Sequence, residues 1–349
     1  MKHPSTRRGF LKTLGTAGGL LALEALCPRL SLVPRQSSIA EALAGGVFEA
    51  SITITWWPTL PYHLPVSVAR EKGWFEEAGI RIKEIFGSKG GGTTVRNIVT
   101  GGLPFGETAA SAAVNAYYAG EPLILFGVGV TSPGYICWVV PPDSPVRTME
   151  DLKGKTVGYT NPGSVTESLL ALVLKRAGLL GQVKTKALGG VGEGLTALKQ
   201  KAIEAAAIME PILSRQKDEN WRVIFRARDY VPLYIQTFWI TSPEMAQQHP
   251  EVLTGFLQVR ARGVEFIKNN LEEAAKIFAK TSDLSEEVAL SSLKNIAPVT
   301  YYSDGSFHQE GLNLVEEGMQ AVGLIDHKIE WNKLVVQSFL PEEKRIKLN

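Results

Sequence analysis

Cysteine is almost absent from this chain of 349 residues, which has only Cys27 and Cys137. Two thiols exclude a disulfide scaffold and any zinc site that is built on several thiolates. The five histidines show no i,i+4 pairing and have no cysteine partners, and the sequence contains no G-x-S-x-G motif for a hydrolase nucleophile. We therefore predict no metal, no cofactor and no catalytic residues.

A strong excess of charge is also missing, since 37 Lys and Arg stand against 35 Asp and Glu. A nucleic-acid-binding protein usually has a marked basic excess, so no nucleic-acid partner is expected. No apolar run reaches the roughly 18 residues that a membrane-spanning helix needs. What is present is 44% hydrophobic and 21% charged residues, which suits a packed core, and a length that fits two domains of ordinary size.

The first 44 residues have the pattern of a twin-arginine export signal. Residues 6–12 read TRRGFLK, a weakly apolar stretch follows at 14–26, and small-x-small sites lie at 40–44. The alternative is an amphipathic first helix that merely carries two arginines. An export signal predicts the twin-arginine translocase as a partner and a location in the periplasm or at the outer face of the cytoplasmic membrane.

Strand-like and helix-like patterns alternate after the signal and predict an α/β fold. Residues 51–55 alternate polar and apolar side chains, whereas 123–130 form a nearly continuous apolar run, as in a strand that is buried on both faces. A helix is predicted over 66–77. The rhythm restarts with a strand at 136–140, followed by a helix over about 165–176 and a short strand at 205–209, and from residue 243 the pattern is helical to the end. This predicts two parallel-sheet lobes with a helical C-terminal tail on the first. Their predicted bounds are 45–135 plus 235–349 for lobe 1 and 136–234 for lobe 2.

Candidate ligand-binding residues lie in loops that follow strands, because open α/β sheets bind ligands beyond the carboxyl ends of their strands. Trp56, Trp57, Tyr62 and His63 follow the first strand and form an aromatic wall that suits a flat or apolar ligand. Side chains alternate along a strand, so one of the two tryptophans is expected in the core. The sequence does not indicate which one.

Three further loops supply polar candidates. Gly92 and Thr93 open a helix after the second strand, and Ser164 and Thr166 do the same in the second lobe, where helix N-termini favour anions or acceptor oxygens. Ser164 is equally credible as an N-cap. Glu210 ends a strand and is a candidate acceptor for a ligand donor; the alternative is a surface carboxylate that stabilises the next helix.

These loops, in this order, resemble the thiamine-pyrimidine-precursor binding and synthesis family, which is related to the sulfonate-, taurine- and nitrate-binding proteins of ABC importers. The resemblance covers about residues 50–280. The motifs that carry it are Trp56, Pro58-Thr59, PYHLP at 61–65, KGWF at 72–75, DLKGKTVG at 151–158, PGS at 162–164, IMEP at 208–211 and HPE at 249–251.

The resemblance implies a type II periplasmic-binding fold. Its two lobes are joined by two crossing strands, near 136–140 and 234–240 in this sequence, and close on a solute. The positions that would face the solute are Trp56, Tyr62, His63, Gly92, Thr93, Ser164, Thr166 and Glu210.

The function implied is the solute-binding component of an ABC importer, a monomer whose partners are a permease and its ATPase subunit. The aromatic wall favours a planar heterocycle such as a pyrimidine, whereas the helix start at Ser164 suits a sulfonate or carboxylate. The alternatives are an enzyme on the same fold and a sensory binding subunit. Fungal enzymes of the family carry a cysteine-rich cluster and a lysine–histidine pair, but residues 106–114 read GETAASAAV and contain neither.

Overall fold

A computed structural model describes residues 46–349, and the predicted export signal at residues 1–44 lies outside them. Within this part, strands alternate with helices and form two five-stranded sheets. The strands are β1 (Phe48–Thr55), β2 (Ile80–Ser88), β3 (Phe105–Ala109), β4 (Ile124–Val130), β5 (Ile136–Val140), β6 (Thr156–Tyr159), β7 (Lys184–Ala187), β8 (Ala205–Met209), β9 (Arg222–Arg226) and β10 (Thr237–Thr241).

Short and long helices cover these sheets. They are α1 (Leu64–Glu71), α2 (Trp74–Glu77), α3 (Gly91–Val99), α4 (Ala110–Tyr118), α5 (Val165–Arg176), α6 (Val191–Lys199), α7 (Ile212–Arg215), α8 (Ala227–Tyr230), α9 (Pro243–Gln248), α10 (Pro250–Asn269), α11 (Leu271–Ser282), α12 (Glu286–Ile296), α13 (Pro298–Tyr301), α14 (Gln309–Ala321) and α15 (Trp331–Leu334). None of the helices in residues 46–349 is both long and apolar enough to cross a membrane.

The first sheet has the order β2-β1-β3-β10-β4, and the second has the order β7-β6-β8-β5-β9. The sequence predicts parallel sheets, but both sheets are mixed. Strand β10 runs antiparallel to β3 and β4, and β5 runs antiparallel to β8 and β9. The reason is the route of the chain. The molecule has two halves, the first built on the sheet that contains β1 and the second on the sheet that contains β5. Strands β5 and β10 each enter their sheet directly after the chain crosses from the other half, at the edge where the parallel strands end.

The two crossings lie side by side. The chain passes from β4 to β5 through residues 131–135 and returns to β10 through residues 231–236. The amide of Tyr234 donates to the carbonyl of Thr131 at 2.8 Å, and the amide of Gln236 donates to that of Val130 at 3.0 Å. The crossing segments therefore directly precede β5 and β10, next to the positions near 136–140 and 234–240 that the resemblance implies.

An aromatic cluster fixes the helical layer to the first sheet. Phe256 of α10 packs on Trp239 of β10 and on Phe105 of β3, with ring centroids 4.5 and 4.7 Å apart, and all three side chains are fully buried. Burial of side chains of this size contributes about 2 to 3 kcal/mol each. The last segment also returns to this sheet, where the amide of Val336 donates to the carbonyl of Leu125 in β4 at 2.9 Å.

Candidate functional site

The loop after β1 separates the roles of its two tryptophans. Trp56 is 44% exposed and adopts a left-handed backbone conformation with φ of 59°. Trp57 is partly buried, and its ring packs edge-on against that of His63 with centroids 4.6 Å apart. Trp57 is therefore the tryptophan that packs on the core, and Trp56 is the one that is free to cover a bound molecule.

His63 is fully buried beneath this loop, and both of its ring nitrogens have protein partners. Nε2 lies 2.6 Å from the carbonyl oxygen of Pro58, and Nδ1 lies 3.1 Å from the hydroxyl of Ser67. Burial lowers the pKa of the imidazole to about 4, against the effect of the Pro58 carbonyl, which raises the pKa. Neutral His63 therefore holds the loop in place, and neighbouring Tyr62 is also buried.

Three hydroxyl groups join the ends of β1 and β2 to the start of α3. The Oγ1 atom of Thr94 lies 2.6 Å from Oγ1 of Thr55 and 2.6 Å from Oγ of Ser88. This cluster fixes the start of the helix. At that start Gly92 is exposed, and half-buried Thr93 accepts a hydrogen bond from Arg96 at 3.0 Å.

In the second half, the loop before α5 is held by its own polar side chains. The Ser164 hydroxyl caps the helix by accepting from the amide of Glu167 at 3.3 Å, and the amide of Gly163 donates to the Glu167 carboxylate at 2.6 Å. Thr166 is buried and bonds through its hydroxyl to those of Ser164 and Thr160, at 2.9 and 2.7 Å. Ser164 therefore fills the N-cap role that the sequence left open, and the Glu167 carboxylate holds the amide of the residue before the cap.

Glu210 is buried at the end of β8 rather than exposed on the surface. Its Oε2 accepts from the amide of Ser214 at 3.2 Å, and its Oε1 accepts from the side-chain amide of Asn295 at 2.7 Å. Its own amide donates to the carbonyl of Tyr135, in the first crossing segment, at 2.9 Å. The carboxylate is thus an acceptor that is fixed where the second sheet meets the crossings.

The two halves touch at more than one place. The hydroxyl of Ser111 in α4 donates to the carbonyl of Gly163 at 3.0 Å, next to Ser164. Elsewhere, Asn295 of α12 contacts Glu210. We call this boundary the seam. Of the predicted site residues, Ser164 and Glu210 lie next to the seam. Gly92 and Thr93 lie close to it, because the preceding Gly91 packs on Ala112, the neighbour of Ser111 in α4.

A buried polar cluster beside the crossings was not predicted. Glu107 of β3 is fully buried; its Oε1 accepts from the Thr237 hydroxyl at 2.6 Å, and its Oε2 has no hydrogen-bond partner among the described residues. Burial raises the pKa of Glu107 to about 7, although the positive charge of Arg260 opposes this rise. Burial also raises the pKa of Tyr135. An acidic residue inside the short strand FGETA was the one signal in the sequence that pointed here.

A cavity of about 270 Å³ lies at the seam, between α7, β9 and α12. Its wall includes Ser214 and Asn295, the two residues that hold the Glu210 carboxylate. The Trp221 ring forms another part of this wall, and the ion pair between Lys217 and Glu287, 2.6 Å apart, spans it.

Comparison with known proteins identifies the family of the chain. Residues 60–274 match the family described as NMT1/THI5 like, and this match covers more than half of the sequence. The chain belongs to the NMT1/THI5-like family. Its resemblance to the pyrimidine-precursor and sulfonate-binding group, as predicted from the loops, is confirmed.

Curated relatives of this family member include binding proteins and an enzyme. It is 26% identical over 242 residues to an aliphatic sulfonates-binding protein of Bacillus subtilis, and the aligned region covers 67% of this chain and 71% of that protein. It is 25% identical over 279 residues to the formylaminopyrimidine-binding protein of Halalkalibacterium halodurans, covering 76% and 82%. A 4-amino-5-hydroxymethyl-2-methylpyrimidine phosphate synthase of Legionella pneumophila is 26% identical over 236 residues, covering 64% and 71%.

Solved structures confirm the fold. The crystal structure of the periplasmic aliphatic sulphonate binding protein of Escherichia coli superposes with a TM-score of 0.68 at 19% identity, covering 86% of this chain and 96% of that chain. At this level of identity the likeness shows the fold alone. The NMT1/THI5-like chain therefore has the predicted periplasmic-binding fold with a helical C-terminal region.

Proposed function

We propose that this protein is the solute-binding component of an ABC importer and that it takes up a neutral heterocycle with amino or ring N–H donors, such as an aminopyrimidine. It would close its two halves on the solute and deliver it to a permease that is driven by a separate ATPase subunit. A closing protein works because ligand contacts from both halves shift an open–closed equilibrium.

The observation that carries the ligand class is the buried carboxylate of Glu210. It is held by two neutral N–H donors, from Ser214 and Asn295, and each carboxylate oxygen retains a lone pair for a further donor. A buried carboxylate attracts a ligand N–H and repels an anion, because charges interact more strongly away from water. Exposed Trp56 supplies an aromatic face for a planar ring.

A sulfonate is the competing ligand. The helix starts at Gly92 and Ser164 offer backbone amides to an anion, as expected from their dipoles. However, the Ser164 hydroxyl already accepts from Glu167, and the Glu167 carboxylate occupies the amide of Gly163. These contacts occupy part of the anion-binding capacity of α5 and favour the heterocycle.

An enzyme on the same fold is the second candidate, because one relative is named as a pyrimidine phosphate synthase. The stretch GETAASAAV at residues 106–114 lacks the lysine and histidine that the family's fungal enzymes use, which supports binding without turnover. A sensory binding subunit is a third possibility. The lobe bounds, the twin-arginine signal, the monomeric state and the translocase partner stay predictions.

Titration calorimetry tests the proposal with purified protein, a methylated 4-aminopyrimidine and an alkanesulfonate. We expect the pyrimidine to bind and Glu210→Gln to weaken it by about tenfold or more, since a hydrogen bond to a charged group is worth about 1.5 to 3 kcal/mol. Glu204→Gln is the matched control, because Glu204 accepts from the Thr156 amide at 2.8 Å in the same half and away from the seam. Binding of the sulfonate alone would overturn the ligand class.

A further inference from the structure

Helix α12 reaches the second half through a row of polar contacts. The side-chain amide of Asn295 donates to Oε1 of Glu210 at 2.7 Å, and the hydroxyls of Ser214 and Ser291 are 3.1 Å apart. The carbonyl of Asn295 accepts from Arg228 at 2.6 Å. The first of these contacts is distinctive, because it joins a fully buried charge to a neutral amide from a helix 85 residues further along the chain.

Helix α12 is carried by the helical layer of the first half. It packs on α11, which in turn packs on α1 and α10 beside the first sheet. Its last residues also press on the first crossing, where the carbonyl of Ile296 leaves no room for a side chain at Gly134. Asn295 is therefore attached to one half, and Glu210 belongs to the sheet of the other.

We propose that Asn295 is a positioning residue of the binding site, which orients the Glu210 carboxylate from across the seam and so couples solute recognition to closure. This inference rests on the proposed function of Glu210. When the halves separate, Asn295 withdraws and Glu210 keeps only the Ser214 amide. A buried carboxylate that loses a donor is costly, so the closed state is the one in which Glu210 is both correctly oriented and fully partnered.

A swap of donor and acceptor tests the coupling. Asn295→Asp sets two carboxylates against each other, so we expect the variant to be more expanded than the wild type in small-angle scattering with saturating methylated 4-aminopyrimidine, and its affinity for that compound to fall by about tenfold or more. Adding Glu210→Gln restores one hydrogen bond with its polarity reversed, from the new amide at position 210 to the new carboxylate at position 295. We expect this double variant to regain the compact form but not the affinity for a donor-bearing solute.

The control and the remaining outcomes separate the two proposals. Lys217→Ala removes an exposed ion pair that crosses the same seam, and we expect no change in scattering or affinity. Should Asn295→Asp fold poorly, Asn295→Ala gives the same readouts without the added charge. Unchanged scattering and affinity in both Asn295 variants, or failure of the double variant to regain compactness, would overturn the coupling. Full affinity in Glu210→Gln alone would instead overturn the proposed ligand contact, while the scattering of the swap still decides whether Asn295 closes the seam.

Discussion

The Nε2 atom of His63 lies 2.6 Å from the carbonyl oxygen of Pro58, and this contact fastens the Trp56–Thr59 loop to the core. The Ser67 hydroxyl partners the other ring nitrogen at 3.1 Å. Because the histidine is fully buried and doubly partnered, it supports the aromatic wall from beneath and is not free to meet a solute.

We expect His63→Ala to lower the free energy of unfolding by about 3 kcal/mol, because it leaves a cavity in the core and removes a hydrogen bond to the Pro58 carbonyl, which keeps only the bond from the Ser282 hydroxyl. Urea denaturation at pH 7.5 measures this loss, with His308→Ala as an exposed control that should cost less than about 1 kcal/mol. A loss at His63 no larger than that of the control would contradict the supporting role.

The same histidine gives a pH dependence of known sign. The imidazole pKa is lowered from 6.5 to about 4 in the folded state, so the unfolded chain binds the extra proton first as the pH falls. The stabilisation from neutral His63 is therefore complete above pH 6.5 and is lost between pH 6.5 and about 4. Denaturation series at several pH values should show a shallower acid loss in His63→Gln than in the wild type.

Glu107 predicts a pH dependence of the opposite sign. Its pKa rises from 4.5 to about 7 on burial, so the folded state retains a proton that the unfolded chain has lost. Stability from this group is present below pH 4.5 and falls as the pH rises to about 7. The groups whose charges act on it or are perturbed by it are Arg260, Tyr62, Tyr135, Tyr301 and Tyr302.

Glu107→Gln removes that dependence while keeping the shape of the side chain. We expect the variant to gain stability over the wild type as the pH rises, by up to about 3 kcal/mol at pH 8 and by almost nothing at pH 4.5. Thermal denaturation at the two pH values measures the difference. Equal effects of the substitution at pH 4.5 and pH 8 would show that Glu107 does not titrate in this range.

Elements with a strong hydrophobic period could be predicted from the sequence. The helix at Val165–Arg176 and the strands at Ile136–Val140 and Ala205–Met209 have the predicted bounds. The helix predicted over 66–77 is instead divided at Gly73, whose φ of 71° ends α1. Strand β3 was not predicted from periodicity, because FGETA has no run of β-branched residues and places a carboxylate in the core.

The candidate site residues can also be divided into those whose position follows from the sequence and those whose contacts do not. Loops after strands identify which residues lie at the carboxyl edge of a sheet, because that rule depends only on the order of strands along the chain. The partner of a buried group is different: Asn295 meets Glu210 across 85 residues, and neither spacing nor composition in one sequence indicates that contact. For the same reason, burial of His63 and the choice between Trp56 and Trp57 required the packed structure.

Substitutions at Ser164 distinguish a helix N-cap from a direct ligand contact. Since its hydroxyl accepts from the Glu167 amide, Ser164→Ala should lower the free energy of unfolding by about 1 kcal/mol, whereas Ser164→Asp should retain it. Solute affinity is the second measurement. We expect Ser164→Ala to leave affinity for an aminopyrimidine within about twofold of wild type, and a larger loss with full stability would make Ser164 a direct contact instead.

Trp56 is exposed and has an unfavourable left-handed backbone conformation. Two substitutions therefore separate the effect of its backbone strain on stability from the effect of its ring on ligand binding. At a φ of 59° any side chain is strained, so Trp56→Gly should be more stable than Trp56→Ala by about 1 kcal/mol. Both variants lose the aromatic ring, so both should bind an aminopyrimidine about tenfold more weakly than wild type and equally to each other. Urea denaturation and titration calorimetry on the pair make the comparison. Retained affinity in both variants would remove Trp56 from the site, whereas equal stabilities would show that the backbone at this position is relaxed.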